Sequence, residues 1–318
     1  MDNRPCDIVL EGGGVKGIGL IGAVEELYKA GHHRCRIAGT SAGAIVGSLL
    51  AADMPVPRLL ELMKNLDYTK FRDEGILDKM GIAGKTASLV LEKGIYEGKY
   101  LRDWLAEQLE SLGVRTFADL KLDDEPWAAA LPPQQRYKLV VIVSDVSSGR
   151  LIRLPWDYKN YGLDPDTQLV ADAVRASMSI PYFYEPVNLA GKYLVDGGLL
   201  SNFPIDIFDN TDDWPTFGIK LSSRADASAT EMNPVTNPID YSLAILSTAM
   251  NAHDQIHIDD PCTQQRTIFV DTFNIKATNF DITAEEQKRL YESGRHYAQK
   301  FLKTWDFEKY KQVCEKKD

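Results

Sequence analysis

The strongest constraint on the fold of this chain is an alternation near its start. The apolar run Asp7 to Leu10 meets Gly12-Gly13-Gly14, after which Ile18, Ile21, Ala23, Val24 and Leu27 recur at helical spacing up to Gly31. A second short strand around Arg36 to Ala38 runs into Gly39-Thr40-Ser41-Ala42-Gly43, and Ala44 to Ala52 reads as helix again. Strand, glycine turn, helix, strand, sharp turn, helix is the beginning of a parallel βαβ arrangement.

The same α/β texture continues. Residues 55 to 66 and Lys99 to Leu112 read as helices, and Leu139 to Val143 and Leu151 to Leu154 as strands. Thr167 to Ala176 suggests a helix broken at Ile180-Pro181, followed by a brief strand Tyr193 to Val195 that ends at Asp196-Gly197-Gly198. Phe217 to Lys220 and Ile268 to Val270 add strands, with a long helix expected from Ile239 to His257 between them. Thr283 with Glu286 forms a capping box for a last helix through Leu302. The expectation is a single domain over 1–318: a catalytic core at 5–220, completed by C-terminal helices and a strand from 221–318. Glycines 75, 81, 84, 94 and 98 interrupt amphipathic fragments between 70 and 98, a texture that suits a lid and equally a surface excursion.

With 318 residues, 44% of them hydrophobic, the chain is long enough to bury a dry core. Its net charge of −10 argues against nucleic acid or a polybasic membrane anchor as the main partner, while leaving room for brief contact with lipid through an apolar patch. The weakly polar run Ile37 to Ala52 is too short to span a bilayer, so no transmembrane segment is expected. The first residues lack the apolar segment of a signal peptide, which makes a cytoplasmic location the expectation. Cys6, Cys35, Cys262 and Cys314 follow no zinc or disulfide spacing and read as reduced structural thiols.

Gly39 to Gly43 matches G-x-S-x-G, the turn that lifts a nucleophilic serine between a strand and a helix. Small residues are needed because the turn is sharp and the substrate must approach the backbone. The helix behind it aims free N–H groups and its positive dipole end at a reacting carbonyl, with Ala42 N–H as one oxyanion donor. Gly12, Gly13 and Gly14 offer further N–H groups that no side chain obstructs, and packed beside Ser41 they would complete an oxyanion hole. Gly12 to Gly17 also fits the dinucleotide fingerprint G-x-G-x-x-G, but the acid which that motif wants at the end of the second strand is missing. No Gly-Lys-Ser/Thr follows, which excludes a P-loop.

A serine nucleophile needs a base within hydrogen-bond reach. Of the five histidines, which include His296, His32 and His33 read as a surface pair at a helix end. His253 and His257, one helical turn apart, fit a Ser–Asp–His order, but most such pairs are solvated helix positions. Asp196, at a strand end before two glycines, is the better candidate, although an Asp-Gly turn alone accounts for it too.

Taken in order, the three signals resemble the patatin-like phospholipase family, with G-G-G-x-K/R-G at Gly12 to Gly17, G-x-S-x-G at Gly39 to Gly43 and D-G-G/A at Asp196 to Gly198. Arg175 to Pro181 with Phe183 and Pro186, Gly94-Ile95-Tyr96, Thr116 to Leu120 and Ser144-Asp145 are similar to the same family. The resemblance covers residues 5 to 220 strongly and the C-terminal helix loosely. It implies an α/β/α sandwich around a mainly parallel sheet, and hydrolysis of acyl esters in phospholipids or related lipids with no cofactor and no metal. It implies Ser41 as nucleophile and Asp196 as general base, with Gly12, Gly13, Gly14 and Ala42 around the oxyanion. Lys16, Gly17, Gly39, Gly43, Gly197 and Gly198 shape the turns, and Lys16 serves either the glycine loop or an anionic head group. Transfer of the acyl group to an alcohol instead of water uses the same residues, and a nucleotide-binding module is the reading outside catalysis.

Overall fold

The structure is a computed structural model that describes residues 4–71, 96–209, 214–221, 248, 260–273, 275–277 and 279–314. Eight strands form one sheet: β1 (Arg4–Leu10), β2 (His32–Thr40), β3 (Leu139–Asp145), β4 (Arg150–Leu154), β5 (Val187–Leu189), β6 (Lys192–Asp196), β7 (Thr216–Lys220) and β8 (Thr267–Phe269). Their order is β5-β6-β3-β2-β1-β7-β8, with β4 paired to β3 off this path. The centre, from β3 through β2, β1 and β7 to β8, is parallel, while β4, β5 and β6 pair antiparallel. Helices flank the sheet: α1 (Ile18–Lys29), α2 (Ala42–Ala51), α3 (Val56–Lys64), α4 (Lys99–Glu110), α5 (Val170–Ser177), α6 (Pro261–Arg266), α7 (Ala284–Leu302) and α8 (Phe307–Cys314). This is the expected α/β/α architecture.

Burial explains which runs became which elements. β3 is buried at every position and β1 from Cys6 onward, as strands covered on both faces must be. α2 is also buried throughout, so its apolar and small residues show no stripe. α4 instead buries Leu101, Leu105 and Leu109, four residues apart on one face. α1 and α7 pack backbone to backbone, since a Cβ added at Gly294 would stand 2.0 Å from the Gly19 carbonyl oxygen. The α7 capping box is formed in both directions between Thr283 and Glu286.

Three expectations change. His32 and His33 open β2 and do not end a helix, because β2 begins straight after the turn at Gly31 and pairs from its first residue with Arg4. The helix expected from Thr167 starts at Val170, since Pro165 to Thr167 form a separate short turn. The thiols of Cys262 and Cys314 are not reduced: they form a disulfide between α6 and α8, while Cys6 and Cys35 are free. A separation of 52 residues carries no sequence signal for that pairing, which arises from the packing of two short helices. Most of the lid expected at 70–98, and the helix expected from Ile239 to His257 apart from residue 248, lie outside the described residues. Among the described residues, no helix is long and apolar enough to cross a membrane.

One buried ion pair ties the first two strands together. Arg36 donates to Asp7 through its backbone N–H at 3.0 Å and Nε at 3.1 Å, and Trp214 Nε1 donates to the other carboxylate oxygen at 3.0 Å. Breaking such a pair from one side strands a buried charge, at a cost of about 3–5 kcal/mol. Asp7→Ala is therefore expected to lose about that much unfolding free energy in urea titration, and an unchanged midpoint would contradict it.

Candidate active site

The site is assembled along one edge of β3. β2 runs parallel to β3 and its last residue, Thr40, lies opposite Ile142. β6 runs antiparallel to β3 and its last residue, Asp196, lies opposite the next residue, Val143. β4 occupies positions 141 to 145 on the other edge, so β2 and β6 must share this one. Their C-terminal ends therefore meet head to head at consecutive register positions, and Ser41 and Asp196 are brought together where the two strands stop.

Ser41 stands at the turn with φ 52° and ψ −122°, a left-handed backbone that costs a non-glycine residue about 1–3 kcal/mol. The surroundings hold it there. Ser41 N–H donates to Ser177 Oγ at 2.9 Å, and Ser177 Oγ in turn donates to the Ile142 carbonyl at 2.6 Å. Ser177 thus bridges the gap in the ladder where β2 ends and β6 has not begun. Gly39 and Gly43 make the turn: a Cβ at Gly39 would stand 2.3 Å from the Gly43 carbonyl oxygen, and one at Gly43 2.3 Å from that of Leu10. Gly197 is pressed as closely on Ile142.

Asp196 is 1% exposed and Ser41 5%. Burial pushes the Asp196 carboxyl up to about 7, while the hydrogen bond from the Gly198 amide and the closeness of the Ser41 hydroxyl pull it partly back. Gly198 N–H donates to Asp196 Oδ1 at 2.7 Å. Among the described residues Asp196 Oδ2 accepts no hydrogen bond, the Ser41 hydroxyl being turned to Met178 Sδ at 3.3 Å. Turning the hydroxyl from Met178 toward Asp196 would pair hydroxyl with carboxylate, a looseness common in unliganded sites.

The glycine loop lies directly over the serine. A Cβ at Gly12 would stand 3.1 Å from Ser41 Cβ, and one at Gly17 3.2 Å from Ala42 Cβ. Gly14 has φ 55°, and the space a side chain would need there is filled by the Ala277 carbonyl, which also accepts from Val15 N–H at 3.0 Å. Gly13 and Gly14 N–H groups have no acceptor among the described residues, and Ala42 begins α2, where N–H groups lack an intrahelical partner. Gly12 departs from its expected part as a donor: its N–H is committed to the Asn202 carbonyl at 3.2 Å. Lys16 lies in the short helical turn Gly14–Gly17, its Cε beside Gly13. His32 is on the far end of β2 and His296 on α7, while His253 and His257 lie outside the described residues. Among the described residues no group of three or more metal-ligating side chains is assembled.

Sequence reasoning assigned no part to Ser177, Met178, Asn202 or Ala277. Ser177 and Met178 lie inside a segment already singled out, Arg175 to Pro181, but their contacts with Ser41 depend on the register of β3 and β6.

Ser177→Ala leaves the Ser41 N–H buried without an acceptor and is expected to cost about 1–3 kcal/mol in urea unfolding. Asp196 has the opposite effect on stability. The folded carboxyl keeps its proton up to about 7 whereas the ordinary value is 3.8, so the folded state binds more protons across that window. Stability from this group falls as pH rises from about 4 to 7 and is flat above. Asp196→Asn is accordingly expected to raise the melting temperature at pH 8; a fall would contradict this assignment.

With this geometry in place, comparison with known proteins is informative. A family model for patatin-like phospholipases matches residues 8–209. The uncharacterized protein YqhO of Bacillus subtilis is 35% identical over 305 residues, which span 95% of this chain and 99% of that protein. The probable lipid hydrolase 463L of Invertebrate iridescent virus 6 is 23% identical over 201 residues, 63% of this chain and 62% of the relative. The crystal structure of VipD from Legionella pneumophila shares the fold, with a TM-score of 0.53 at 19% identity, covering 94% of this chain and 67% of that one. β7, β8 and the Ala277 carbonyl lie beyond the matched stretch, yet complete the sheet and brace the glycine loop. The chain belongs to the patatin-like phospholipase family.

Proposed function

We propose that this protein hydrolyses acyl esters of phospholipids or related lipids through a Ser41–Asp196 dyad and an acyl-enzyme. Membership of the family carries the coarse function, a lipid hydrolase. The finer reading rests above all on one observation: β2 and β6 end together on β3, so the serine of a strained turn adjoins a buried carboxylate with a pKa of about 7.

A carboxylate near its ordinary pKa is a poor base for a serine hydroxyl. One raised to about 7 is better matched to the proton it must take, and it remains ionised at mildly alkaline pH. Asp196 accepts the Ser41 proton as Oγ attacks the ester carbonyl carbon and the carbonyl electron pair moves onto oxygen. Gly13, Gly14 and Ala42 N–H groups receive that oxyanion, and the N-terminal end of α2 adds its dipole. Collapse of the adduct expels the alcohol, which takes back the proton from Asp196. Water, deprotonated by Asp196, then releases the fatty acid and restores Ser41. The whole chain acts as one unit in this reading, because residues beyond 209 support the loop that receives the oxyanion.

Ser41→Ala and Asp196→Ala are each expected to abolish release of p-nitrophenol from acyl esters and of fatty acid from mixed phospholipid vesicles. His253→Ala and His257→Ala are expected to remain active. In the wild type, kcat/KM is expected to fall on acidification with a midpoint near 7, since protonated Asp196 is no base. Full activity in Asp196→Ala would refute the dyad.

A further inference from the structure

We propose that Asn202 is a positioning residue for the oxyanion hole, holding the Gly12–Gly13 peptide so that the Gly13 N–H faces the reacting carbonyl. The inference rests on the dyad reading above and extends it to a residue that acts through the backbone of the glycine loop.

Asn202 clasps Gly12 from both sides. Its backbone carbonyl accepts from Gly12 N–H at 3.2 Å, and its side-chain Nδ2 donates to the Gly12 carbonyl at 3.2 Å. In a planar trans peptide, the carbonyl and the following N–H point in opposite directions. Drawing the Gly12 carbonyl toward Asn202 therefore aims the Gly13 N–H away from Asn202. That N–H has no acceptor among the described residues, and it belongs to the loop that lies over Ser41.

The loop needs such a clamp because of its composition. Two successive glycines open the site to substrate, but they also let the peptide between them rotate with little steric penalty. Turned over, the Gly12–Gly13 peptide would present its carbonyl oxygen where the developing oxyanion must sit. Gly12 is also the residue that permits the clasp, since a Cβ there would stand 2.2 Å from Asn202 Oδ1.

Asn202 is itself held in place. Its Nδ2 lies 3.5 Å from Glu11 Oε1, so the nitrogen end of the carboxamide faces two acceptors. Glu11 is buried and accepts from Lys220 Nζ at the end of β7 and from the Leu221 N–H. On the other side, Thr40 Oγ donates to the Ser201 carbonyl at 3.2 Å, tying the segment after Asp196 to the strand that carries Ser41. The three signals read separately in the sequence are joined through the consecutive residues Ser201 and Asn202.

The test uses the full-length protein and a long-chain alkyl trifluoromethyl ketone. Ser41 Oγ adds to the ketone carbon, the carbonyl electron pair moves to oxygen and the serine proton passes to Asp196, so the adduct depends on the oxyanion hole as the ester does. An ether-linked phospholipid analogue, which binds without reacting, reports ordinary substrate affinity. Asn202→Ala is expected to lower kcat about 10²-fold and to weaken the ketone by a similar factor, with KM and ether-analogue affinity changed less than about threefold. Asn202→Asp, of nearly the same size, is expected to do the same at pH 8, and it carries the test if the alanine variant does not fold. Unchanged kcat and ketone affinity, or loss of ketone and ether analogue in parallel, would overturn the proposal. If instead the wild type forms no ketone adduct by fluorine NMR, or forms it equally with Ser41→Ala, the dyad reading itself fails.

Discussion

The site depends on the use of one edge of β3 by two strands in succession. β2 arrives parallel and stops at Ile142, while β6 arrives antiparallel and stops at Val143. These ends lie far apart in sequence, at Thr40 and Asp196. Their meeting is imposed by backbone hydrogen bonding, which allows only one strand per position on an edge. Because β3 is buried over its whole length, a slip of either partner would turn a set of apolar side chains the wrong way, so the register is firmly specified. The position of Ser41 beside Asp196 inherits that precision.

A head-to-head junction leaves backbone groups without ladder partners, and the local chemistry is organised around them. Ser177 satisfies the Ser41 amide and the Ile142 carbonyl together. Gly197 is small enough to lie against the same carbonyl. Asp196 has fewer partners than a buried carboxylate normally collects, with one oxygen held by Gly198 and the other left toward Ser41. The same burial that makes Asp196 costly to the folded state raises its carboxyl to about 7, so stability is given up where the proposed chemistry calls for a stronger base.

Much of this was legible in the sequence, because it is written in local steric requirements. Glycine runs at strand ends, a serine among small residues, alternation of apolar strands with periodic helices and the Thr283–Glu286 box are each decided within a few residues. The disulfide between Cys262 and Cys314 was not legible, nor was the start of β2 at His32, since both follow from how distant elements pack. Ser177 and Asn202 were hidden for a related reason. A serine at a helix end or an asparagine in a loop reads as a cap or turn residue until the backbone groups it serves are brought against it.

The sequence by itself determined the fold class, the family resemblance and the identities of the nucleophile and carboxylate candidates. Tertiary structure alone decided that these two meet, that the carboxylate is desolvated to a pKa of about 7, and that the Gly12 amide is occupied while those of Gly13 and Gly14 are open among the described residues. The physical reason is one of range. Turn sterics and helical periodicity act over a few neighbours, whereas desolvation and strand register depend on groups brought together from residues 11, 41, 142, 177, 196, 202 and 277.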